Sequence, residues 1–84
     1  MQMNEKLIAE RIISYVGGID NISSISHCAV RLRLSLKNGS LLDKSNISES
    51  VPEVKGIIKI FGEYHLVVGP SLVQKLYQEI SNKM

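Results

Sequence analysis

The clearest structural signal in the chain is the stretch Val30-Arg31-Leu32-Arg33-Leu34-Ser35-Leu36-Lys37. Apolar residues occupy its even-numbered positions, and arginine, serine or lysine occupies each odd-numbered position. A repeat of two residues predicts a β-strand with one apolar face and one polar face. Asn38 and Gly39 then predict a turn that ends the strand. The sheet that contains this strand therefore has one face suited to a core and one polar face.

Helical spacing of apolar residues marks both ends of the chain. The N-terminal helix is predicted between a cap at Asn4 and a stop at Gly17-Gly18. Its apolar positions are Leu7, Ile8, Ile12, Tyr15 and Val16. The C-terminal helix is predicted to open at Gly69-Pro70-Ser71. Its apolar positions are Leu72, Val73, Leu76, Tyr77 and Ile80. A shorter helix is predicted over residues 44–50, with Asp43 as its N-cap.

Three further segments predict strands, over residues 19–25, 54–60 and 64–68. Gly56 suggests a β-bulge, and Phe61-Gly62-Glu63 predicts a hairpin turn. The element order is α-β-β-α-β-β-α, and its two tight hairpins imply antiparallel pairing. We therefore expect an α+β fold, a two-layer sandwich of a four-stranded antiparallel sheet with helices on one face.

The length and composition restrict the class of protein. Eighty-four residues fit a single domain, predicted here as 1–84. A net charge of +2, three tyrosines, one phenylalanine and no tryptophan disfavour a nucleic-acid partner. No apolar run approaches the ~20 residues of a membrane span, and no secretory signal is visible. We expect a cytoplasmic domain without direct membrane insertion, without a cofactor and without a metal.

The single cysteine, Cys28, lies just before the two-arginine strand. Arg31 and Arg33 are two residues apart, so their guanidinium groups leave one face with Cα atoms ~6.5 Å apart. Such a pair suits a phosphate group. The arginines and the adjacent His27 should lower the pKa of the Cys28 thiol. A thiolate beside two cations is the minimum apparatus for covalent phosphoryl transfer.

Plainer interpretations of these residues stay open. Strict alternation gives Cys28 the same face as Val30 and Leu32, which would bury it as a small core residue. The arginines are then a solvated strand face, and His27 and His65 are surface residues rather than ligands. A basic strand face also suits a small nucleic-acid-binding α+β domain, which the weak net charge disfavours.

A longer motif surrounds the cysteine. It begins at Asn21-Ile22 and continues in His27-Cys28-Ala29-Val30-Arg31-Leu32-Arg33-Leu34. This stretch resembles the active-site signature of enzyme IIB domains of the bacterial phosphoenolpyruvate-dependent sugar phosphotransferase system, which in the glucose superfamily reads Asn-Ile … His-Cys-Ala-Thr-Arg-Leu-Arg. The resemblance covers roughly residues 4–81 and is greatest to the sucrose, β-glucoside and trehalose branch. Further matching segments are Val54-Lys55-Gly56-Ile57, Tyr64-His65-Leu66-Val67-Val68-Gly69-Pro70, Val73 and Tyr77-Gln78-Glu79-Ile80.

The resemblance implies a role for each residue of the motif. Cys28 would be the phosphocysteine nucleophile of a protein-phosphocysteine–sugar phosphotransferase. It would accept phosphate from a histidine of an enzyme IIA domain and pass it to a sugar held by the membrane enzyme IIC. The domain would then work at the inner face of the cell membrane. Ala29, Val30, Arg31 and Arg33 would lie around the phosphate, and His27 would frame the loop.

Val30 departs from the family pattern, which usually has threonine at this position. Valine keeps the β-branched shape but has no hydroxyl to bind phosphate. The alternative is therefore a non-catalytic or regulatory enzyme IIB-like interaction domain. Docking of enzyme IIA further implies exposed apolar residues on the rim of the cysteine loop. Ile25 and the turn at residues 61–63 are the candidates, against their plainer interpretation as core and hairpin.

Overall fold

The computed structural model describes residues 4–84, so residues 1–3 of the predicted domain lie outside the described residues. The elements in chain order are α1 (Glu5–Tyr15), β1 (Ile22–His27), β2 (Arg31–Leu36), α2 (Lys44–Ser50), β3 (Gly56–Ile60), β4 (Glu63–Val67) and α3 (Val73–Ser81). Short 3-10 turns lie at Ile19–Asn21 and Gly39–Leu41. The predicted order of helices and strands is confirmed.

The four strands form one antiparallel sheet in the order β1-β2-β4-β3. Arg31 at the start of β2 pairs with Val67 at the end of β4. Ser35, near the other end of β2, pairs with Glu63. This register places the β1–β2 turn and the β3–β4 turn at opposite ends of the sheet.

The core lies between the sheet and the helices. The sheet and the helices both contribute fully buried side chains to it, which include Ile8, Ile12, Leu32, Leu34, Leu66, Leu76 and Ile80. Helix α3 contacts β1, β2 and α1, and α1 also contacts α2. The odd-numbered residues of β2 lie on the face of the sheet away from this core, and Arg31 and Arg33 are among them. The predicted two-layer α+β sandwich is confirmed.

Side-chain caps explain why two of the helices begin where the sequence predicts. The Oδ1 atom of Asn4 accepts a hydrogen bond from the amide of Leu7 at 2.9 Å, which caps α1. The Oδ1 atom of Asp43 accepts one from the amide of Asn46 at 3.1 Å, which caps α2. Helix α1 ends before Gly17, whose φ of 103° suits the end of a helix.

Asn21 is a buried polar residue that joins three segments. Its Nδ2 atom donates to the carbonyl oxygens of Val16 at 2.7 Å and Asn38 at 3.0 Å. Its Oδ1 atom accepts from the amide of Asn38 at 2.9 Å. One side chain therefore fixes the end of α1, the entry to β1 and the turn after β2.

Several element boundaries differ from their predictions: β3 starts at Gly56 rather than at residue 54, and β4 spans Glu63–Val67 rather than residues 64–68. The first strand starts at Ile22, because the residues before it form a 3-10 turn. Helix α3 starts at Val73, because Gly69 has a φ of 87° and Pro70 lies in the turn that follows it. The bulge predicted at Gly56 is wrong, since the β3–β4 register is continuous; the irregularity of the sheet lies between Ile22 and Ser24 in β1.

Within residues 4–84, none of the helices combines the length and the hydrophobicity that a membrane crossing requires.

Candidate functional site

Cys28 lies in the turn between β1 and β2. Its amide donates to the carbonyl oxygen of Arg31 at 3.0 Å, which closes the turn. The free thiol is half-buried, and Ala29 and Val30 are exposed. The alternation of β2 therefore stops at Arg31, so the interpretation that buries Cys28 in the core is wrong. The apolar-face position predicted for Val30 is also wrong, since 38% of this residue is exposed.

Backbone amides dominate the surroundings of the thiol. Hydrogen bonds from the amides of Val30 and Arg31 lower the pKa of Cys28 below its ordinary value. Partial desolvation opposes them, and a hydrogen bond and positive charge from the Arg33 guanidinium lower the pKa further. Backbone N–H groups that favour a negative charge in this way are typical of turns that bind anions. Arg31 acts here through its backbone, and His27 does not contribute to the shift, which differs from the prediction.

His27, the last residue of β1, lies beside the turn. It pairs with Leu32, so it shares the face of the sheet that packs on the helices. Its ring lies 4.7 Å from the ring of Tyr77 in α3, tilted by 55°. Its Nδ1 atom is 3.3 Å from the carbonyl oxygen of Cys28. These contacts hold one side of the turn against α3 and are suited to framing the loop.

A second loop supports the turn from the other side. The carbonyl oxygen of Val30 accepts hydrogen bonds from the amides of Val68 at 2.9 Å and Gly69 at 3.1 Å. These residues link β4 to α3 and are distant from Val30 in sequence. In the sequence, Gly69-Pro70 indicated the start of the C-terminal helix, but nothing there indicated its contact with the cysteine turn.

The two arginines of β2 lie on one face of the sheet, as predicted. Both are half-buried. On this face Arg33 pairs with Ser26 of β1 and with His65 of β4. His65 is only 6% exposed, so its prediction as a surface residue is wrong. The register sets it between Arg33 of β2 and Ile58 of β3, because β4 is an inner strand of the sheet.

Neither apolar candidate for the rim of the cysteine loop lies there. Ile25 pairs with Leu34 and packs against the core. Phe61 is fully exposed, with a φ of 48°, but its turn is at the end of the sheet opposite Cys28. The plainer interpretation therefore describes both positions: Ile25 packs against the core, and Phe61 belongs to a hairpin turn.

Comparison with known sequences identifies relatives of the chain. The sequence profile of the phosphotransferase system EIIB family matches residues 10–43. The sucrose-specific EIIBC component of Pasteurella multocida (strain Pm70) is 43% identical over 79 residues, which are 94% of this chain and 16% of that protein. The sucrose-specific EIIBC component of Bacillus subtilis (strain 168) is 38% identical over 81 residues, 96% of this chain and 17% of that protein. The chain thus spans about a sixth of the length of these curated relatives.

Comparison with solved structures agrees with the sequence relatives. One domain of the PTS system IIabc component from Clostridium difficile matches with a TM-score of 0.84 and 36% identity. The match covers 98% of this chain and 85% of that one. The stretch matched by the family profile contains β1, the cysteine turn and β2. The chain therefore belongs to the EIIB family of the bacterial phosphotransferase system, in its glucose-type branch.

Proposed function

We propose that this domain carries phosphate on Cys28 during sugar phosphotransfer. The observation that carries the proposal is the position of Cys28 in the β1–β2 turn, where its thiol is half-buried and where the amides of Val30 and Arg31, and then Arg33, lower its pKa. This arrangement stabilises a thiolate. The same donors suit the oxygens of a phosphoryl group bound to the sulfur.

In the first step the thiolate of Cys28 attacks the phosphorus of a phosphohistidine on an enzyme IIA domain. The S–P bond forms, the N–P bond breaks, and the imidazole leaves with the electron pair. Arg31 and Arg33 lie on the strand that begins at the turn and supply positive charge for the phosphoryl oxygens. A partner of this kind is supported by the sucrose-specific EIIBCA component of Pediococcus pentosaceus, which is 35% identical over 78 residues.

In the second step a sugar hydroxyl attacks the phosphorus. The O–P bond forms, the S–P bond breaks, the thiolate is recovered, and the hydroxyl proton is released. The surface cavities of about 760 and 240 Å³ are lined by other residues, such as Tyr64 and Ile22, and not by Cys28. On the basis of the EIIBC relatives, we assign sugar binding to a partner, the membrane enzyme IIC, with the domain at the cytoplasmic membrane face.

A labelling experiment tests the proposal. Enzyme IIA carrying ³²P-phosphohistidine is mixed with the domain, and the label is expected on Cys28 as an acid-resistant, alkali-sensitive species. The Cys28→Ser variant serves as the matched control, with its circular dichroism compared to show that it is folded. An unlabelled wild-type domain, or a label that persists in Cys28→Ser, would refute the proposal.

The alternative function, a non-catalytic or regulatory interaction domain, depends on the valine at position 30. The contacts of Val30 with the site are made by its backbone, through its amide to Cys28 and its carbonyl to Val68 and Gly69. A side-chain hydroxyl is not needed for any of them, so the valine leaves the hydrogen bonds of the loop intact and the alternative depends only on the hydroxyl's contact with phosphate. Sugar phosphorylation at a normal rate by a reconstituted set of enzymes IIA, IIB and IIC would exclude it.

A further inference from the structure

The peptide group between Val30 and Arg31 is held from outside the cysteine turn. Its carbonyl oxygen accepts hydrogen bonds from two amides of the β4–α3 link, at 2.9 and 3.1 Å. Its N–H group is one of the two that lower the pKa of the Cys28 thiol. Because a peptide group is planar, a bond at the carbonyl also fixes the direction of the N–H group.

The peptide group between Cys28 and Ala29 is held by a side chain instead. Its carbonyl oxygen lies 3.3 Å from the Nδ1 atom of His27, within hydrogen-bond distance. A carbonyl oxygen only accepts, so Nδ1 carries the hydrogen in this contact. The other N–H group that lowers the pKa of the thiol, that of Val30, belongs to the peptide group between the two fixed ones. Its direction therefore depends on the His27 contact as well as on the β4–α3 link.

The imidazole of His27 can hold this carbonyl only if the ring itself has a fixed position. His27 is the last residue of β1 and is exposed, so the strand fixes its backbone but not its ring. The ring of Tyr77 lies against the imidazole, with 4.7 Å between the two centroids and a tilt of 55°. Offset and tilted pairs at such a separation are the favourable arrangement of aromatic rings.

Tyr77 is in turn anchored in the helix layer. Val73, Tyr77 and Ile80 follow one another at the spacing i, i+4 and i+7, so they share one face of α3. Val73 and Ile80 are buried, and the half-buried Tyr77 packs against the same core. The contacts therefore run from the core through the Tyr77 ring and the His27 ring to the carbonyl oxygen of Cys28.

We propose that Tyr77 is a positioning residue for the cysteine turn: its ring holds the imidazole of His27, whose Nδ1–H group bonds the carbonyl oxygen of Cys28. Tyr77 acts on the thiol only through His27 and the backbone of the turn. These contacts are a property of the free domain. Only their effect on phosphoryl transfer rests on the proposed function.

Nitrogen NMR of the ¹⁵N-labelled 84-residue chain tests the contacts in the wild type. The neutral ring of His27 is expected as the Nδ1–H tautomer, with nuclear Overhauser contacts to the ring protons of Tyr77. An Nε2–H tautomer would overturn the proposal, because Nδ1 could not then donate to the carbonyl oxygen. Absence of the Overhauser contacts would overturn it too. These spectra need no variant, so they stay decisive if a substitution prevents folding.

Two substitutions at Tyr77 separate the aromatic contact from the filling of space. Tyr77→Phe keeps the ring, whereas Tyr77→Leu keeps an apolar side chain without a ring. In Tyr77→Leu, His27 is expected to become a mixture of tautomers, and the pH midpoint of alkylation of Cys28 is expected to rise. Both signals should stay as in the wild type in Tyr77→Phe. Wild-type signals in a folded Tyr77→Leu variant would contradict the proposal.

Tyr15→Leu is the matched control. Tyr15 is another half-buried tyrosine that packs against the core. Its carbonyl oxygen accepts a hydrogen bond from the amide of Asp43, in the segment that follows β2 and leads away from Cys28. The control should lose stability and leave the His27 tautomer and the alkylation midpoint unchanged. Equal changes in Tyr15→Leu and Tyr77→Leu would refute a specific role for Tyr77.

A double substitution tests whether Tyr77 acts through His27. His27→Ala alone should raise the alkylation midpoint of Cys28 at least as much as Tyr77→Leu does. The two substitutions together should raise it no further than His27→Ala alone, because they interrupt the same chain of contacts. Additive changes would refute the path through His27.

The consequence for phosphoryl transfer is measured separately. At saturating phosphorylated enzyme IIA, labelling of Cys28 should slow about fivefold in Tyr77→Leu, the equivalent of one modest hydrogen bond. The concentration of enzyme IIA that gives half the maximal rate should not change. An effect on that concentration alone would make Tyr77 a docking residue and overturn the proposal. The spectra and the alkylation need no phosphate, so a failure to label Cys28 would end the phosphocarrier proposal alone.

Discussion

The carbonyl oxygen of Val30 accepts a hydrogen bond from the amide of Gly69 at 3.1 Å. The cysteine turn is therefore fixed to the link between β4 and α3. Gly69 has a φ of 87°, a conformation that glycine adopts readily and other residues rarely do. The orientation of the amides around Cys28 depends in part on a glycine in a different loop.

We predict that Gly69→Ala is less stable by about 1–2 kcal/mol, the usual cost of a side chain in this conformation. Space is not the cause, since no atom lies within 4 Å of the added Cβ. Because the amide of Gly69 would move, the pKa of Cys28 should rise. Urea unfolding measures the stability, and the pH dependence of thiol alkylation measures the pKa.

Gly62→Ala is the matched control for that experiment. Gly62 also has a positive φ, of 82°, and open space at its Cβ position, but it lies in the β3–β4 turn at the other end of the sheet. It should lose similar stability and leave the pKa of Cys28 unchanged. Equal pKa changes in the two variants would contradict the coupling between Gly69 and the cysteine turn.

The lowered pKa of Cys28 predicts that stability depends on pH. The amides of Val30 and Arg31, and then Arg33, favour the thiolate in the folded state, so the folded pKa lies below the ordinary 9.0. The resulting stabilisation is fully present above the unfolded pKa and is lost as pH falls through the folded pKa. The stability of wild type relative to Cys28→Ser should therefore rise with pH between these two values. A difference in stability that stays constant over that pH range would contradict the lowered pKa of Cys28.

Val30→Thr tests whether the missing hydroxyl limits activity. The side chain is exposed and the residue holds its place through backbone bonds, so stability should change by less than about 0.5 kcal/mol. A hydroxyl beside Cys28 adds a donor for phosphate and should speed phosphorylation by up to about tenfold. The rate of ³²P transfer from enzyme IIA measures this, and a slower rate would count against it.

Asn21→Asp should destabilise the fold by about 2–4 kcal/mol near neutral pH. The carboxylate cannot donate to the carbonyl oxygens of Val16 and Asn38 as the amide does. Protonation restores one donor, so the pKa of the new carboxyl is raised and the destabilisation should shrink as pH falls. Unfolding in urea at several pH values measures this effect. The control is Asn82→Asp at the exposed end of α3, with an expected cost within about 1 kcal/mol; an equal cost would refute the role of Asn21.

The Glu5–Lys75 ion pair predicts a second, weaker pH dependence. Nζ of Lys75 donates to Oε1 of Glu5 at 3.2 Å and joins α3 to α1. The backbone amide of Glu5 and then Lys75 lower the pKa of this carboxyl below 4.5. Its stabilising effect is present above the unfolded pKa and is lost as pH falls through the folded pKa. The difference in melting temperature between wild type and Glu5→Gln should therefore vanish in acid. A difference that persists would exclude the ion pair as its cause.

Local signals in the sequence were enough to predict most of the fold. Asn4 and Asp43 cap helices because their side chains bond amides three residues ahead, a contact that needs no distant partner. The alternation of β2 likewise follows from the strand itself, and it correctly placed Arg31 and Arg33 on one face. Cys28 was chosen as the candidate nucleophile because these neighbours suit a phosphate group.

The features that the sequence did not predict depend on contacts between distant segments. His65 is buried because β4, rather than β3, lies beside β2, and a single sequence contains no signal for that choice. Val30 is exposed because β2 begins only at Arg31. The small apolar residues before this strand carry no sequence signal for a turn. The contact between Val30 and Gly69 joins loops whose sequences have no local relation.

The pairing of β2 with β4 determines the order in which the domain can assemble. The β1–β2 and β3–β4 hairpins close over short segments, whereas Arg31 pairs with Val67 across the rest of β2, a helix and the β3–β4 hairpin. Closing a longer loop costs more chain entropy, so this pairing is expected last. The bonds that fix Val30 form only at that stage. Since the groups that lower the pKa of Cys28 all lie within the β1–β2 hairpin, this lowering is expected to begin when the hairpin forms, and the bonds from Val68 and Gly69 to Val30 complete the surroundings of the thiol last.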